Sequence, residues 1–298
     1  MKKPEIQSLY YITHINNIPS ILQSGILSHA QVEQLKVDFT PIYDSSIVSK
    51  RRDKFTPNRN SLWEYANLYF QPRNPMMYRI VNECDRKSIA IMGVKPVVLN
   101  KENCLITDGN VANDVTQFFP GIQAIQVLGK QWNLIQNDWW SDSDGSKRKI
   151  MAECLVPKRV PPDLIHSIFV AEQSAKKKVE ELLGVDRLPV IPEPHIFFQP
   201  RSATRIGNNI SLIDGDMFFS NMQTLTISVN LQGVMGKGLA SRAKYQFPDV
   251  YVVYQDACRA KQIKENRPYL YKREASLDLE LADLSLPLST PNSVRSEE

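Results

Sequence analysis

The chain has 298 residues, of which 42% are hydrophobic and 23% are charged, and its formal net charge is +4. This is the composition of an ordinary globular protein, and the length allows two domains or one large one. No apolar run approaches the roughly 20 residues of a membrane-spanning helix, and no apolar segment follows the basic start. We therefore expect a cytoplasmic protein without a membrane partner, whose small positive charge permits nucleic-acid binding.

The four cysteines and four histidines are widely spaced along the chain. None of the cysteines belongs to a C-x-x-C pair; they are Cys84, Cys104, Cys154 and Cys258. This spacing favours reduced thiols over a disulfide framework or a zinc site. The sequence therefore predicts that the protein holds no metal.

The first element predicted is a strand over residues 9–14, which are aromatic and β-branched. A short helix is expected next, with an Asn as N-cap, Pro19 in its first turn and Gly25 at its end. A helix that begins directly after a strand can bind an anion such as a pyrophosphate. His14, between the two, is expected to cap or to hydrogen-bond in the core, and we leave it out of the candidate site.

One carboxylate interrupts the apolar run from Lys149 to Pro157, which is predicted to be a strand. In an alternating strand, Met151, Glu153 and Leu155 share one face. A buried Glu costs free energy unless it is paired or used in chemistry, so Glu153 requires an explanation. A single Glu in a strand is by itself more often an edge residue or a salt-bridge partner than a catalyst.

A polar, glycine-containing loop precedes this strand and carries three basic residues, Lys147, Arg148 and Lys149. A basic loop beside a strand-borne carboxylate indicates an active site that accepts an anionic substrate. The alternative is a solvated run of charge without a ligand.

Three separated blocks together resemble the DarT family of DNA ADP-ribosyltransferases, the toxins of DarT–DarG toxin–antitoxin pairs. They are residues 11–14 with the short helix, residues 49–52 with 63–78, and the Glu153 strand with its loop. The stretches YFQPRNPM (69–76) and KIMAECLV (149–156) carry most of the resemblance, which extends from residue 5 to about 185. The residues DGS before the strand and VPP after it are most similar to the guanine-modifying branch, and less similar to the thymine-modifying branch.

The resemblance implies that NAD is a substrate and that its ADP-ribose passes to a base of single-stranded DNA, with release of nicotinamide. The branch that the sequence most resembles modifies guanine. The resemblance also implies two catalytic residues, Glu153 and Arg51. A carboxylate stabilises the positive charge that develops on the ribose, and an arginine binds pyrophosphate or ribose oxygens bidentately. Arg52 remains an alternative to Arg51, because the Lys-Arg-Arg register is ambiguous by one residue.

Further site residues follow from the same resemblance. The NAD-binding positions implied are Tyr11, Ile12, Thr13, Ser20, Ser28 and Arg51. Tyr11 departs from the family, which usually has His there. A reacting base must be unpaired, so a single strand is favoured over a duplex. Nearby aromatic and basic residues suit base stacking and phosphate contact, and the DNA-binding residues predicted are Arg73, Lys147, Arg148 and Lys149. For Arg73, a structural ion pair is the alternative.

A second unit is expected after the proline-rich segment 188–207, which is predicted to be an extended linker. It divides a DarT-like domain, residues 1–187, from residues 208–298. The second unit resembles the macrodomain of DarG, the antitoxin that removes ADP-ribose from DNA. ADP-ribose contacts are implied at Asp216, Asn230, Gly236, Gly238 and Lys244. Ala243 stands where that family usually has a bulky residue.

The second unit has about 90 residues, whereas a complete macrodomain needs roughly 150. We therefore expect a C-terminally truncated macrodomain without hydrolase activity; a shortened gene product is equally consistent. The fold class predicted is α/β (α+β): a mixed, mainly β ADP-ribosyltransferase-like domain followed by a partial α/β/α macrodomain. A separate DarG-like antitoxin, or the chain's own macrodomain fragment, is the expected protein partner.

Two alternative functions remain open. The first is an inactive ADP-ribose-binding or DNA-binding remnant, suggested by the truncation and by Tyr11. The second is an active enzyme that hydrolyses NAD or transfers ADP-ribose to RNA or protein. Loss of transfer in a Glu153 variant argues against the first, and product formation that depends on DNA argues against the second.

Overall fold

The computed structural model describes residues 4–43, 49, 51–120, 124–141, 144–184, 188–220, 222–272 and 285–289. Outside these ranges lie Lys50 of the Lys-Arg-Arg block, residues 142 and 143 of the basic loop, and the tail beyond 289. The chain forms two compact units, Met1–Trp140 with Asp144–Asp214 and Ser141–Ser143 with Gly215–Glu298.

An eight-stranded sheet organises the first unit. Its strands are β1 Leu9–His14, β3 Tyr65–Tyr69, β4 Ile89–Val94, β5 Leu105–Thr107, β6 Phe118–Pro120, β7 Glu153–Pro157, β9 Ile165–Val170 and β10 Val190–Pro192. They lie in the order β10-β9-β4-β1-β3-β7-β5-β6. Only β10 and β9 run parallel; the other neighbours are antiparallel. A short ladder also pairs β2 Ile26–Leu27 with β8 Arg159–Val160. This mixed architecture confirms the predicted fold class.

The helices of the first unit are α1 Ile18–Ser24, α2 His29–Leu35, α3 Pro75–Glu83, α4 Ala124–Ile135, α5 Ser146–Lys149 and α6 Gln173–Leu183. Shorter 3₁₀ turns are Ile15–Asn17, Leu62–Glu64, Arg86–Ser88, Pro96–Asn100, Pro162–Leu164 and Pro194–Phe197. As predicted, Pro19 lies in the first turn of α1 and Gly25 ends it with a φ of +89°. A Cβ at Gly25 would lie 2.2 Å from the Val160 carbonyl oxygen, so only glycine fits.

Asn17 precedes α1, but its side chain forms no capping hydrogen bond. It binds the main chain of Thr40 instead, accepting from the N–H at 2.7 Å and donating to the carbonyl at 2.8 Å. His14 accepts a hydrogen bond from the Asn16 N–H at the start of a 3₁₀ turn, which confirms its predicted capping role. These contacts fix the path of the chain between β1 and α1.

The hydrophobic core lies against the central strands, and all six residues of β4 are buried. The predicted strand from Lys149 to Pro157 is wrong in its first half. Residues 146–149 form the single turn α5, residues 150–152 continue in a turn, and β7 begins at Glu153. Ile150 and Ala152 are buried within that turn, so an apolar run mimics a longer strand.

The proline-rich segment after α6 packs on the first unit in its first part. Val190–Pro192 pairs with β9, and Phe197 is fully buried. The exposed hairpin that follows consists of β11 Ser202–Arg205 and β12 Ser211–Asp214. The part of this segment that forms β10 is therefore a strand of the eight-stranded sheet.

The second unit has its own small core around Phe218, Val250 and Tyr254. Its elements are a 3₁₀ turn Met217–Phe219, β13 Ile227–Ser228, α7 Gly238–Gln246, α8 Pro248–Arg259, β14 Tyr269–Lys272 and β15 Ser285–Ser289. β15 lies between β13 and β14, parallel to the first and antiparallel to the second. β13, which ends two residues before Asn230, is paired over only two residues. In the described parts of both units, no helix is long and apolar enough to cross a membrane.

Candidate active site

The carboxylate of Glu153 is completely buried, and both of its oxygens are hydrogen-bonded. Oε2 accepts from Nη1 and Nη2 of Arg51, each at 3.3 Å. Oε1 accepts from the backbone N–H of Val111 at 3.0 Å. These three donors compensate a charge that would otherwise be costly in the interior, and they hold the carboxylate in one orientation.

Strand pairing brings Tyr69 beside Glu153. The two residues are opposite one another on β3 and β7, and the Glu153 N–H donates to Thr107 Oγ1 at 3.0 Å on β5. Burial raises the pKa of Tyr69, and the charge of Glu153 raises it further, so the phenol stays protonated. Tyr69 begins a stretch that carries the family resemblance, but its place beside the carboxylate depends on the register of two distant strands.

The structure separates the two adjacent arginines that the sequence left as alternatives. The side chain of Arg51 is 16% exposed and lies against Glu153, whereas that of Arg52 is 55% exposed. Arg52 forms an ion pair with Glu33 and lies 4.7 Å from the centre of the Trp63 ring. The geometry therefore places Arg51, and not Arg52, at the buried carboxylate.

A pocket is lined by parts of β1, α1 and α2. Three predicted NAD-binding residues, Tyr11, Thr13 and Ser20, line it. Its other walls include aliphatic and aromatic side chains, among them Ile21, Ile26, Val32, Val37, Phe39 and Tyr43. An apolar pocket with a few hydroxyl groups suits a nucleoside, whose ring is apolar on both faces and whose ribose carries hydroxyls.

The other three predicted NAD-binding residues are not in this lining: Arg51 lies at Glu153, and Ile12 and Ser28 lie elsewhere. Ile12 alternates with Tyr11 and Thr13 on β1, and its side chain is buried on the opposite face of the sheet. Ser28 is buried as well and caps α2, because its Oγ accepts from the Gln31 N–H at 3.3 Å. The lining thus contains three of the six predicted NAD-binding residues.

His29 is a pocket residue that the sequence did not predict. Burial, with the charge of Arg51, lowers its pKa to about 4, so its imidazole is neutral at pH 7. The ring stacks on Trp63, with 4.4 Å between centroids and 22° between planes. Burial also raises the pKa values of Tyr11 and Tyr43. The pocket therefore presents neutral groups, and the positive charge near His29 comes from Arg51 and Arg52.

The basic run of the predicted DNA-binding loop lies on α5. Lys147 is exposed and Lys149 is half-buried. Arg148 differs from both, because its Nη1 and Nη2 donate to the two carboxylate oxygens of Asp108 at 2.8 and 2.9 Å. The three neighbours therefore have different surroundings.

Arg73 is buried, with 2% of its surface exposed. Its Nη1 donates to the His195 carbonyl at 2.7 Å and its Nε to the Asp138 carbonyl at 3.2 Å. The guanidinium also lies 4.1 Å from the centre of the Phe198 ring. The sequence left two roles open for Arg73, a DNA contact and a structural ion pair. These contacts fit the structural role.

In the second unit, Asn230 and Gly236 line one pocket, together with Lys237 and Glu265. The Asn230 side chain orders its own loop: Oδ1 accepts from the Gln232 N–H, and Nδ2 donates to the Val234 carbonyl.

The other predicted ADP-ribose contacts of this unit lie outside that lining. Asp216 forms an ion pair with Arg242. Gly238 begins α7 with a φ of +58°, and Lys244 lies over the Tyr251 ring at 4.4 Å. Within the described ranges of both units, no three His, Cys, Asp or Glu side chains are grouped so that they could hold a metal ion.

The family model described as "ssDNA thymidine ADP-ribosyltransferase, DarT" matches residues 10–198, more than half of the chain. A DNA ADP-ribosyl transferase–DNA ADP-ribosyl glycohydrolase fusion protein of Thermosipho africanus is 50% identical over 290 residues, 97% of this chain and 74% of the relative. The solved structure of Thermosipho africanus DarTG in complex with ADP-ribose is similar at a TM-score of 0.84 and 48% identity, covering 95% of this chain and 76% of that one.

A solved structure of Thermus sp. 2.9 DarT in complex with ADP-ribosylated ssDNA is also similar, at a TM-score of 0.58 and 26% identity. It covers 66% of this chain and 99% of that one. The fold is thus that of an ADP-ribosyltransferase that uses NAD as a substrate.

This chain belongs to the DarT family, which modifies single-stranded DNA. The predicted family, enzyme class, substrate and DNA partner are confirmed. The family description names thymidine, whereas guanine was implied only by a resemblance to one branch, so the acceptor base is a matter for proposal.

Proposed function

We propose that this protein transfers ADP-ribose from NAD to guanine in single-stranded DNA, with Glu153 and Arg51 as its catalytic residues. The observation that carries the proposal is the buried Glu153 carboxylate, held by Arg51 on one oxygen and by Val111 on the other. A fixed, desolvated carboxylate is suited to stabilise positive charge on a sugar. Guanine is supported by the residues DGS before β7 and VPP after it.

In this reaction the bond between the ribose C1′ and the nicotinamide nitrogen breaks, and its electron pair neutralises the pyridinium. Positive charge develops at C1′, where the negative charge of Glu153 stabilises it. A guanine nitrogen forms the new bond to C1′, and its proton passes to Glu153 and then to water. Arg51 holds the carboxylate in place and offers its remaining N–H groups to substrate oxygens.

NAD is proposed to lie with a nucleoside part in the pocket formed by Tyr11, Thr13 and Ser20. Ile12 and Ser28, whose side chains lie outside that pocket, are proposed to shape it from behind: Ile12 through the β1 main chain, Ser28 by fixing the start of α2. The neutral His29 ring adds an apolar wall at pH 7.

For the DNA strand, Lys147 and Lys149 are proposed to contact phosphates, since phosphate contacts supply most of the affinity for single strands. Neither Arg73 nor Arg148 is included, because their guanidinium groups are held by other parts of the first unit.

The domain roles are proposals as well. We assign the transferase to residues 1–187, a joining segment to 188–207, and a partial macrodomain to 208–298, with an ADP-ribose site around Asp216, Asn230, Gly236, Gly238 and Lys244. The fusion of transferase and glycohydrolase in the Thermosipho africanus relative supports this arrangement. In the cell we propose a cytoplasmic toxin, restrained by a DarG-like antitoxin or by its own second unit.

The test of the acceptor uses four single-stranded oligonucleotides that differ at one position, where each carries a different base. The rest of each strand is the same abasic or poly-adenine sequence. Each is incubated with NAD and the full chain, and the product is examined by mass spectrometry. An ADP-ribose adduct on the oligonucleotide with guanine supports the proposal. An adduct on thymine alone contradicts the choice of base and leaves the enzyme class intact.

The competing functions give different results in the same assay. Nicotinamide release that is independent of DNA indicates NAD hydrolysis, and label that appears on RNA or protein indicates a different acceptor. Neither nicotinamide release nor an adduct indicates an inactive binding remnant.

A further inference from the structure

Arg148 is enclosed by a polar loop, residues 108–116. Its guanidinium donates to both carboxylate oxygens of Asp108, at 2.8 and 2.9 Å, and to Thr116 Oγ1 at 3.1 Å. The Arg148 carbonyl accepts the N–H of Asn110 at 2.9 Å. A single arginine therefore binds the loop through its side chain and through its main chain.

The loop packs directly against Arg148. A Cβ at Gly109 would lie 2.5 Å from Nη1 of Arg148 and 2.9 Å from its carbonyl oxygen, so the glycine backbone lies directly against Arg148. Thr116 Oγ1 in turn donates to the Asn110 carbonyl at 2.6 Å, which closes the loop on itself.

Asp108, the partner of Arg148, is a charged group. Partial burial alone would raise its pKa, but hydrogen bonds from Arg148 and from the Gln117 N–H lower the pKa of the carboxyl overall. Asp108 is therefore ionised near neutral pH, and its pair with Arg148 is a charged, bidentate one.

The same loop supplies a donor to the catalytic carboxylate. The N–H of Val111 donates to Glu153 Oε1 at 3.0 Å. Thr107, which leads into the loop, accepts the Glu153 N–H at 3.0 Å and donates to the Gly109 carbonyl at 2.7 Å. The loop thus binds the Glu153 side chain, and Thr107 at the end of β5 binds both the loop and the Glu153 main chain.

We propose that Arg148 is a positioning residue for the transfer reaction. It holds the 108–116 loop so that the Val111 N–H fixes the orientation of the Glu153 carboxylate. The proposal rests on the proposed function, since it takes Glu153 as the catalytic group. It also assigns Arg148 a role different from that of its neighbours Lys147 and Lys149, which are placed at the DNA.

The test compares Arg148→Met, Asp108→Asn and the double variant in the full chain, with kcat and the KM for a guanine-containing oligonucleotide measured separately. Because a small displacement of a catalytic group is costly, each single variant should lower kcat by about 10- to 100-fold, with KM changed by about twofold at most. The kcat of the double variant should fall no further than that of the single variants, because both changes break the same Arg148–Asp108 pair. Arg148→Lys, which keeps the charge but not the bidentate geometry, should recover only part of the rate.

Asp108→Asn distinguishes positioning from DNA binding. If Arg148 contacted a phosphate, removing its acidic partner would leave kcat intact and lower the KM for DNA; positioning requires kcat to fall. Hydrogen exchange of the Val111 amide gives a readout independent of turnover, and it should accelerate in both single variants. Arg79→Met, which breaks an exposed pair with Glu83 on α3, is the matched control and should change neither quantity.

A higher KM for DNA at unchanged kcat in Arg148→Met would overturn the proposal, as would unaltered Val111 exchange. If the wild type formed no DNA adduct at all, the proposed function would fail. The exchange of the Val111 amide would then still decide whether Arg148 holds the loop.

Discussion

Arg51 and Glu153 are 102 positions apart in the sequence, yet both terminal nitrogens of the arginine lie 3.3 Å from one carboxylate oxygen. The other oxygen is bound to the Val111 N–H. A carboxylate bound on both oxygens cannot rotate freely, so its charge is oriented before substrate arrives. Such preorganisation is the main source of electrostatic stabilisation in enzyme active sites.

The first prediction concerns the arginine. Arg51→Met leaves a buried carboxylate without its cationic partner, which should destabilise the protein by up to about 3 kcal/mol and abolish measurable transfer. Arg51→Lys should retain more stability than activity, because a lysine cannot bind bidentately. Urea unfolding and adduct formation on an oligonucleotide measure the two effects. Arg52→Met, which removes an exposed neighbour of equal charge, is the control; a larger loss there than in Arg51→Met would contradict the assignment.

The second prediction concerns His29 and pH. Its pKa in the folded protein, about 4, is below the ordinary value of 6.5, so the unfolded chain takes up the proton first as the pH falls. The stability contribution is therefore complete above pH 6.5 and is lost progressively toward pH 4. Between pH 7 and 5 the loss should be at most about 2 kcal/mol, less where solvent screens the ring.

His29→Phe keeps an aromatic ring against Trp63 but removes the titrating group. Its urea midpoint should fall less between pH 7 and 5 than that of the wild type. Equal falls in the two proteins would show that His29 does not carry this pH dependence.

The third prediction concerns salt. If Lys147 contacts a phosphate, Lys147→Ala should reduce the slope of log affinity against log salt by about 0.7 to 1 for a single-stranded oligonucleotide. Binding is measured by fluorescence anisotropy over a range of sodium chloride concentrations. Lys177→Ala removes the same charge from the exposed face of α6 and should leave the slope unchanged. An identical slope in both variants and the wild type would remove Lys147 from the DNA-binding surface.

The fourth prediction concerns the second unit. The buried Tyr254 hydroxyl lies 2.8 Å from the Asn230 carbonyl oxygen and 2.9 Å from Asn230 Oδ1. Tyr254→Phe removes this donor, which should cost about 1 kcal/mol. Amide exchange in residues 230–234 should accelerate accordingly, while exchange in β4 of the first unit stays as in the wild type. Unchanged exchange in residues 230–234 would mean that this hydroxyl does not hold the Asn230 loop.

The sequence predicted the elements whose ends are marked by local chemistry. β1 has the predicted bounds, and Gly25 ends α1 as expected, because a positive φ at a helix end favours glycine. The start of β7 was predicted wrongly because Ile150 and Ala152 are buried in a turn, and burial in a turn leaves the same apolar pattern as a strand.

The contacts of the site could be predicted only in part. The resemblance indicated Glu153 and Arg51 as residues, but it left Arg51 and Arg52 as alternatives, and only the fold distinguishes them. The Val111 donor is a backbone group, so no side chain in the sequence marks it. The Arg148–Asp108 pair joins residues 40 positions apart, and a run of three basic residues gives no sign that one of them is bound inside the protein.

The most direct measurement is the mass of a guanine-containing single-stranded oligonucleotide after incubation with NAD and either wild type, Glu153→Gln or Glu83→Gln. Glu153→Gln keeps the shape of the side chain and removes its charge, and Glu83→Gln makes the same change at an exposed position. We expect an ADP-ribose adduct with the wild type and with Glu83→Gln, and at least about 100-fold less with Glu153→Gln. Equal adduct formation by Glu153→Gln and the wild type would contradict the central role of this carboxylate.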